Sequence, residues 1–229
     1  MSDDKTKNAW PDAAAKGIEL LRDLGGFFGM ILGPSVKDIG GTLSDYAAYI
    51  RYKNLLSIRG KVEKIHEQRR LKGKTILIPP RYAIPLIENA SIENEDSIQE
   101  RWAALIANAT DPDKKLVLKK IYINTLAALE PIDAAILSYL FQDGIDENYS
   151  LTGEQHLNAN VLSSVIGSSG EEVRISLQNL YRQGCIIDSW EQSWENLDKG
   201  YSGFRVNNPD SNFRLSHFGF SLMVACSDT

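Results

Sequence analysis

The chain of 229 residues has little cysteine and little histidine, and it lacks the short motifs that many hydrolases and nucleotide-binding enzymes carry. Its two cysteines exclude a disulfide framework, and no C-x-x-C pair offers a zinc or redox site. The three histidines lie 90 and 61 residues apart, so none has a second histidine at metal-ligand spacing. G-x-S-x-G and G-x-G-x-x-G are both absent. We therefore expect a non-enzymatic protein with no catalytic residue, metal or cofactor.

Apolar runs long enough to cross a membrane are missing from the N-terminal region. The stretch from Leu24 to Val36 is uncharged, but its thirteen residues fall short of the roughly 20 that a spanning helix needs. We predict a disordered tail over residues 1–11 and a helix from Asp12 to Gly33. Within it Gly25, Gly29 and Gly33 recur every four residues, which places them on one stripe where another backbone can approach closely. This stripe is a candidate face for helix packing or oligomerisation.

The net charge of −5 is unevenly distributed along the chain. Residues 1–130 contain 20 basic and 17 acidic side chains, whereas residues 131–229 contain 5 and 13. A helix predicted from Leu43 to Leu71 places basic residues opposite an apolar stripe. Its cations form a candidate basic face for an anionic partner. The basic-face candidates are Arg59, Lys61, Lys64, Arg69, Arg70, Lys72 and Lys74.

The tripeptide Gly73-Lys74-Thr75 resembles the end of a phosphate-binding loop, but the match fails. Such a loop needs a glycine at position 68, where this chain has Gln68, and it follows a strand rather than a helix. The region up to residue 130 instead shows helical periodicity. Helices are predicted with Ile98, Trp102 and Leu105 inward, and again from Lys114 to Leu129. We expect residues 12–130 to form one multi-helix domain.

The C-terminal part, residues 131–229, changes pattern. Helices are predicted over Ile132–Phe141 and Asn158–Ile166, and a third helix starts at Ser169, where Ser169 and Glu172 form a capping box. A strand at 186–187 and a returning strand at 213–215 follow. The order of helices, glycine turn, strands and hairpin is typical of a winged helix-turn-helix domain. The fold class is therefore mainly α, with one small β-hairpin.

Two segments carry a family resemblance. Residues 78–91, with the proline pair Pro79-Pro80, followed by Ile98–Asn108 around Trp102, resemble the core motif of the abortive infection alpha family. The ending 213–219, Phe-Arg-Leu-Ser-His-Phe-Gly, is similar to the family's strand-to-helix terminus. The resemblance spans about residues 40–225 and implies a bacterial or prophage-borne protein linked to phage exclusion. The family has no assigned catalytic residues, so none is transferred to this chain.

The charge of the C-terminal domain argues against direct reading of DNA. Recognition helices gain much of their affinity from Lys and Arg contacts to phosphate. Here the third helix begins Glu171-Glu172 and offers Arg174 and Arg182 as candidate contacts, within a domain of net charge −8. We expect this domain to contact protein instead.

The function that we predict is an antiviral, abortive-infection protein that works through a protein partner or through self-association. One alternative is a membrane-perturbing effector in which residues 17–36 lie on the membrane surface. Another is a winged-helix regulator that binds DNA, which makes nucleic acid a less favoured partner. The expected location is cytoplasmic, with a peripheral position at the inner membrane under the first alternative.

Overall fold

The computed structural model describes residues 45–71, 73–143, 157–188 and 212–228. This part of the chain is mainly helical and contains one two-stranded antiparallel sheet. It divides into two compact units, residues 1–123 and 124–229, whereas we placed the domain boundary between residues 130 and 131. The predicted tail, the predicted helix with Gly25, Gly29 and Gly33, the membrane-surface segment 17–36 and Lys72 lie outside the described residues.

Unit 1 is built around a long helix that two shorter helices pack against. These are α1 (Asp45–Gln68), α2 (Pro80–Ile92) and α3 (Asp96–Thr110), and α1 contacts both of the others. Proline begins α2 because its fixed φ suits the first helical position. The predicted apolar stripe of α1 is buried at Ile58 and Val62, and Trp102 of α3 is fully buried. The helical interpretation of this region is therefore confirmed.

The helix predicted from Lys114 to Leu129 is much shorter in the structure. Helix α4 covers Lys120–Leu126 only, and it crosses the division between the units. Lys115 has a positive φ of 51°, a left-handed conformation that an α-helix of L-residues does not continue through. The apolar periodicity of residues 114–129 is real, but the first part of it belongs to an irregular segment.

Unit 2 follows the predicted order of elements closely. Its helices are α5 (Pro131–Asp143), α6 (Ala159–Ile166), α7 (Gly170–Arg182) and α8 (His217–Ala225). Strands β1 (Ile186–Asp188) and β2 (Phe213–Leu215) pair antiparallel, with Ile186 opposite Leu215. An additional bridge joins Leu157, just before α6, to Phe213. The predicted strands at 186–187 and 213–215 are therefore confirmed as an antiparallel pair.

The connection between α6 and α7 is fixed by its side chains and one glycine. Asn158 caps α6 by accepting hydrogen bonds from two backbone N–H groups, and Gly167 ends it with a φ of 74°. That left-handed conformation favours glycine. Ser169 and Glu172 form the predicted capping box at the start of α7. Two helices joined by a tight glycine turn are the result.

Helix α8 approaches the backbone of Cys185, between α7 and β1, more closely than a side chain at position 219 would allow. A Cβ atom added to Gly219 would lie 1.9 Å from the carbonyl oxygen of Cys185. Ser216 caps α8 by accepting a hydrogen bond from the N–H of Gly219 at 2.9 Å. The N–H of Ser216 in turn donates to the carbonyl oxygen of Cys185 at 2.9 Å. The strand-to-helix ending thus requires glycine at position 219.

Within the described ranges, no helix by itself has the length and apolar character to cross a membrane. The bent pair formed by α4 with residues 131–142 of α5 meets those criteria jointly, on length and composition alone. Its side chains Ile123, Leu126 and Ile136 are buried, as in ordinary core helices.

Candidate interaction surfaces

Three of the predicted basic-face residues are already paired with acidic groups inside unit 1. Arg59 binds Glu63 one turn away, at 2.7 Å, and Lys61 binds Asp96 at the start of α3, at 2.6 Å. The third, Arg69, has a side chain only 15% exposed. Their charges are locally compensated, so they contribute less to an anion-binding face than the sequence suggests.

The remaining basic-face residues that the structure describes are not paired with acidic groups. Within the part of unit 1 that the structure describes, Lys64, Arg70 and Lys74 are exposed and form no ion pair or hydrogen bond through their side chains. Arg70 follows α1 with a positive φ of 57°, so the chain turns there. The structure therefore separates the predicted face into paired cations along α1 and open cations mainly beyond its end.

Sequence reasoning missed a second group of exposed cations. It assigned residues 114–120 to a helix and did not consider their charges as a surface. In the structure four lysines of this stretch are exposed. They are Lys114, Lys115, Lys119 and Lys120. The repeat of two lysine pairs around Leu-Val-Leu is a signal that could have identified them.

A buried polar cluster joins the C-terminal ends of α1 and α3. His66 Nε2 lies 2.9 Å from Thr110 Oγ1, and Thr110 Oγ1 donates to the carbonyl oxygen of Ile106 at 2.8 Å. Arg69 donates to Asn108 Oδ1 at 2.8 Å and forms an ion pair of 3.3 Å with the buried Asp111. Each of these polar groups has a hydrogen-bond or ion-pair partner, so the cluster is structural. We call it the lock, because it holds the ends of α1 and α3 together.

The environment of His66 favours its neutral form. Burial lowers the pKa of His66 below its ordinary value, because a charged imidazolium loses its hydration there. The positive charge of Arg69 lowers this pKa further, while Asp111 and Glu63 oppose the shift. This histidine is therefore a structural hydrogen-bonding residue, as expected for a lone histidine.

A second buried polar cluster lies in unit 2 around Asp133. Its carboxylate accepts hydrogen bonds from Ser176 Oγ, from Asn179 Nδ2 at 2.7 Å and from the backbone N–H of Glu130 at 3.0 Å. These contacts fix the start of α5 against α7. Burial, with a contribution from the charge of Asp133, raises the pKa of the Cys185 thiol to about 12. Cys185 is thus a buried, protonated thiol rather than a nucleophile.

The outward face of α7 combines one apolar and several polar side chains. Glu171, Ile175, Gln178 and Arg182 follow at i, i+4, i+7 and i+11, and all are exposed. Ile175 in the middle is 61% exposed. Of the predicted contacts on this helix, Arg182 lies on this face and donates to Asn179 Oδ1 at 3.0 Å, whereas Arg174 is half-buried.

The acidic residues near the start of α3 have local structural roles. Glu93 accepts from the backbone N–H of Glu95 at 2.8 Å, and Asp96 pairs with Lys61. Glu95 takes the N-cap position of α3, without a side-chain cap bond. Among the described residues no group of three potential metal-ligating side chains occurs.

Comparison with known proteins gives one match. The family model described as abortive infection alpha matches residues 51–226, about three quarters of the chain. Searches of curated proteins and of solved structures each returned no match.

Proposed function

The chain belongs to the abortive infection alpha family, and from this premise we propose that it excludes phage through protein–protein binding rather than catalysis. Support comes from the contacts of the groups that could do chemistry. His66, Asp133 and Cys185 are buried, and the two that can form strong hydrogen bonds use them to tie helices together. The polar side chains that reach solvent lie instead on helix surfaces that a partner protein can contact.

The fold of unit 2 fits a winged helix-turn-helix domain, and we propose that it is one. The turn of three residues between α6 and α7 contains Gly167, as is common in this motif. The bridge of Leu157 to Phe213 supplies a third strand-like segment beside β1 and β2. In such domains α7 would be the helix that presents its outer face to a partner.

One observation carries the choice of a protein partner: Ile175 is exposed at the centre of that outer face. An exposed aliphatic side chain gains free energy when a protein surface covers it. Contact with DNA phosphates would offer it little. The exposed Glu171 and Glu172 in the same helix would be repelled by a duplex.

The sequence of the outer face fits a second copy of itself. In an antiparallel pair of α7 helices related by a two-fold axis, Glu171 of one copy lies opposite Arg182 of the other. The same pairing places Ile175 opposite Gln178, and each contact occurs twice. We infer that α7 mediates a symmetric dimer. One helix pair buries less than a standard interface of roughly 1,600 Å², so we expect a micromolar dissociation constant.

Exchange of the two charges tests this pairing. Analytical ultracentrifugation of the full chain should show a dimer that either Glu171→Arg or Arg182→Glu weakens by about tenfold, because like charges then face each other. The double variant E171R/R182E should restore the dissociation constant of the wild-type dimer, because opposite charges again face each other. Ile92→Glu, an exposed isoleucine of unit 1 (58%), is the control and should have no effect.

Several results would contradict the proposal: a monomer at all concentrations, a dimer unaffected by the single charge reversals, or no recovery in the double variant. If a dimer forms but the charge variants do not behave as expected, another face mediates it. Gly29→Leu would then test self-association through Gly25, Gly29 and Gly33, which stays a prediction.

Binding of DNA is the second candidate, favoured by the arginines of α7. Arg182 is exposed and Arg174 is half-buried on the helix that would enter the major groove. Titration of the full chain with duplex DNA at low salt separates the two candidates. Sub-micromolar, salt-sensitive binding that Arg182→Glu abolishes would replace protein contact as the function of this face.

A further inference from the structure

Two irregular segments leave the same end of unit 1. One follows α1 and leads to α2, with residues 69–71 and 73–79 described, and the other follows α3 and leads to α4, over residues 111–119. The N–H of Ile76 donates to the carbonyl oxygen of Thr110 at 2.9 Å, which ties the first segment to the end of α3. The cluster of His66, Arg69 and Thr110 holds the ends of α1 and α3 together beneath them.

Exposed aliphatic side chains concentrate on these two segments and the first turn of α4. Ile76 and Leu77 are 48% and 57% exposed, Val117 is 72% exposed and Ile121 is 50% exposed. Among the described residues of unit 1, only Tyr49, Ile84 and Ile92 are other large apolar side chains exposed to this extent. An apolar group of this size at one end of a domain marks an interaction surface.

Basic side chains are interspersed with these aliphatic side chains along the same two segments. Residues 70–81 and 113–121, apart from position 72, contribute seven exposed basic side chains and one exposed acid, Asp113. The basic ones are Arg70, Lys74, Arg81, Lys114, Lys115, Lys119 and Lys120. We call this surface, residues 70–71, 73–81 and 113–121, the basic-apolar end. The ion pairs of Arg59 and Lys61 lie outside it, and its exposed basic side chains outnumber its one exposed acid by seven to one.

We propose that the basic-apolar end docks on the surface of an anionic lipid bilayer, with its aliphatic side chains in the headgroup region and its cations at the lipid phosphates. The cations of the surface can contact lipid phosphates, and its aliphatic side chains can leave water for the headgroup region. Each Lys or Arg near an anionic membrane contributes about 1 kcal/mol, and apolar side chains add the free energy of leaving water. The protein would lie on the membrane without spanning it.

Nucleic acid fits the same surface less well. It would satisfy the cations, but single strands are bound by stacking on aromatic rings. The exposed large apolar side chains of this end are isoleucine, leucine and valine, with no aromatic ring among them. Leu77 and Val117, in particular, would gain nothing from a phosphate backbone. The proposal is independent of the α7 dimer, because it uses residues of unit 1 only.

Co-sedimentation of the full chain with vesicles tests the docking. We expect binding to phosphatidylglycerol-containing vesicles, little binding to pure phosphatidylcholine, and a loss of binding as salt rises. Leu77→Glu and Val117→Glu should each reduce partitioning by about tenfold, since each removes apolar contact and adds repulsion. The pair K74E/K120E should reduce it at least as strongly. All four positions are exposed, and circular dichroism checks that the fold is retained.

Ile92→Glu is the matched control for the apolar replacements. It is 58% exposed and ends α2, about 18 Å along the helix axis from Pro80, and should leave partitioning unchanged. Three results would overturn the proposal. They are no binding to anionic vesicles, binding that survives all these variants but is lost on deletion of residues 1–44, and equal binding of duplex DNA that Leu77→Glu does not affect.

Discussion

Replacement of Gly219 by alanine should destabilise unit 2 strongly, although alanine is the better helix former. The added Cβ would lie 1.9 Å from the carbonyl oxygen and 2.8 Å from the carbonyl carbon of Cys185. Both are backbone atoms, so no side-chain rotation relieves the contact. Helix α8 must move away from the residue that follows Gly184.

The expected loss of stability has three parts. Overpacking of this kind costs about 1–3 kcal/mol. Movement of α8 also strains the Ser216 cap and its hydrogen bond to the carbonyl oxygen of Cys185, where loss of a cap costs about 1 kcal/mol. The helix propensity of alanine returns up to about 1 kcal/mol. We expect a net destabilisation of about 1–3 kcal/mol, or roughly 1 M less urea at the midpoint.

The two cysteines provide an assay that reports on unit 2 alone. Cys185 and Cys226 are both buried in it and are the chain's only thiols. With its pKa raised to about 12, Cys185 should not react with a disulfide reagent at pH 8 until unit 2 unfolds. Pulsed thiol labelling across a urea series therefore gives the unfolding midpoint of this unit.

Gly170→Ala is the control for this experiment. Gly170 begins α7, and its added Cβ would meet only Arg174 Nη1, at an ordinary 3.7 Å. The urea midpoint of the Gly170→Ala variant should equal or slightly exceed that of the wild type. The reasoning is refuted if Gly219→Ala behaves like Gly170→Ala.

Two further predictions concern the buried polar clusters. Unit 1 should lose stability as the pH falls below about 6.5: the pKa of His66 is lowered in the fold by burial and Arg69, so only the unfolded chain takes up its proton there. Urea midpoints at pH 7.5 and 5.5 should differ less in His66→Asn, and an equal difference would contradict this. Ser176→Ala should destabilise unit 2 by about 2 kcal/mol in the thiol assay, because the buried Asp133 loses a donor; an unchanged midpoint would show that this bond contributes nothing.

Local signals made unit 2 predictable from its sequence. The capping box at Ser169 and the alternation of residues 213–215 each act within a few residues, and each is present in the structure. The close approach at Gly219 depends on residues 34 positions apart, so periodicity does not reveal it. The Asp133 cluster, which joins α5 to α7, was missed for the same reason.

Unit 1 shows where periodic patterns mislead. The apolar spacing of residues 114–129 fits a helix, yet Lys115 is left-handed and α4 begins only at Lys120. Hydrophobic periodicity records which side chains face the core, and an irregular segment packed on a core can reproduce it. Ile121 departs from the helical pattern, because a helix from Lys114 to Leu129 would turn it inward with Leu118, whereas it is 50% exposed in the structure.

A charge reversal has different meanings at an ion-paired buried cation and at an exposed one. Arg69 is mostly buried and serves the lock between α1 and α3, so Arg69→Glu would place two carboxylates beside each other in a poorly hydrated site and unfold unit 1. Arg70, the next residue, is exposed after the chain turns. Its reversal changes the charge of the surface and leaves the lock intact. A loss of phage exclusion in Arg70→Glu would therefore indicate a binding surface, whereas the same loss in Arg69→Glu would indicate only a damaged fold.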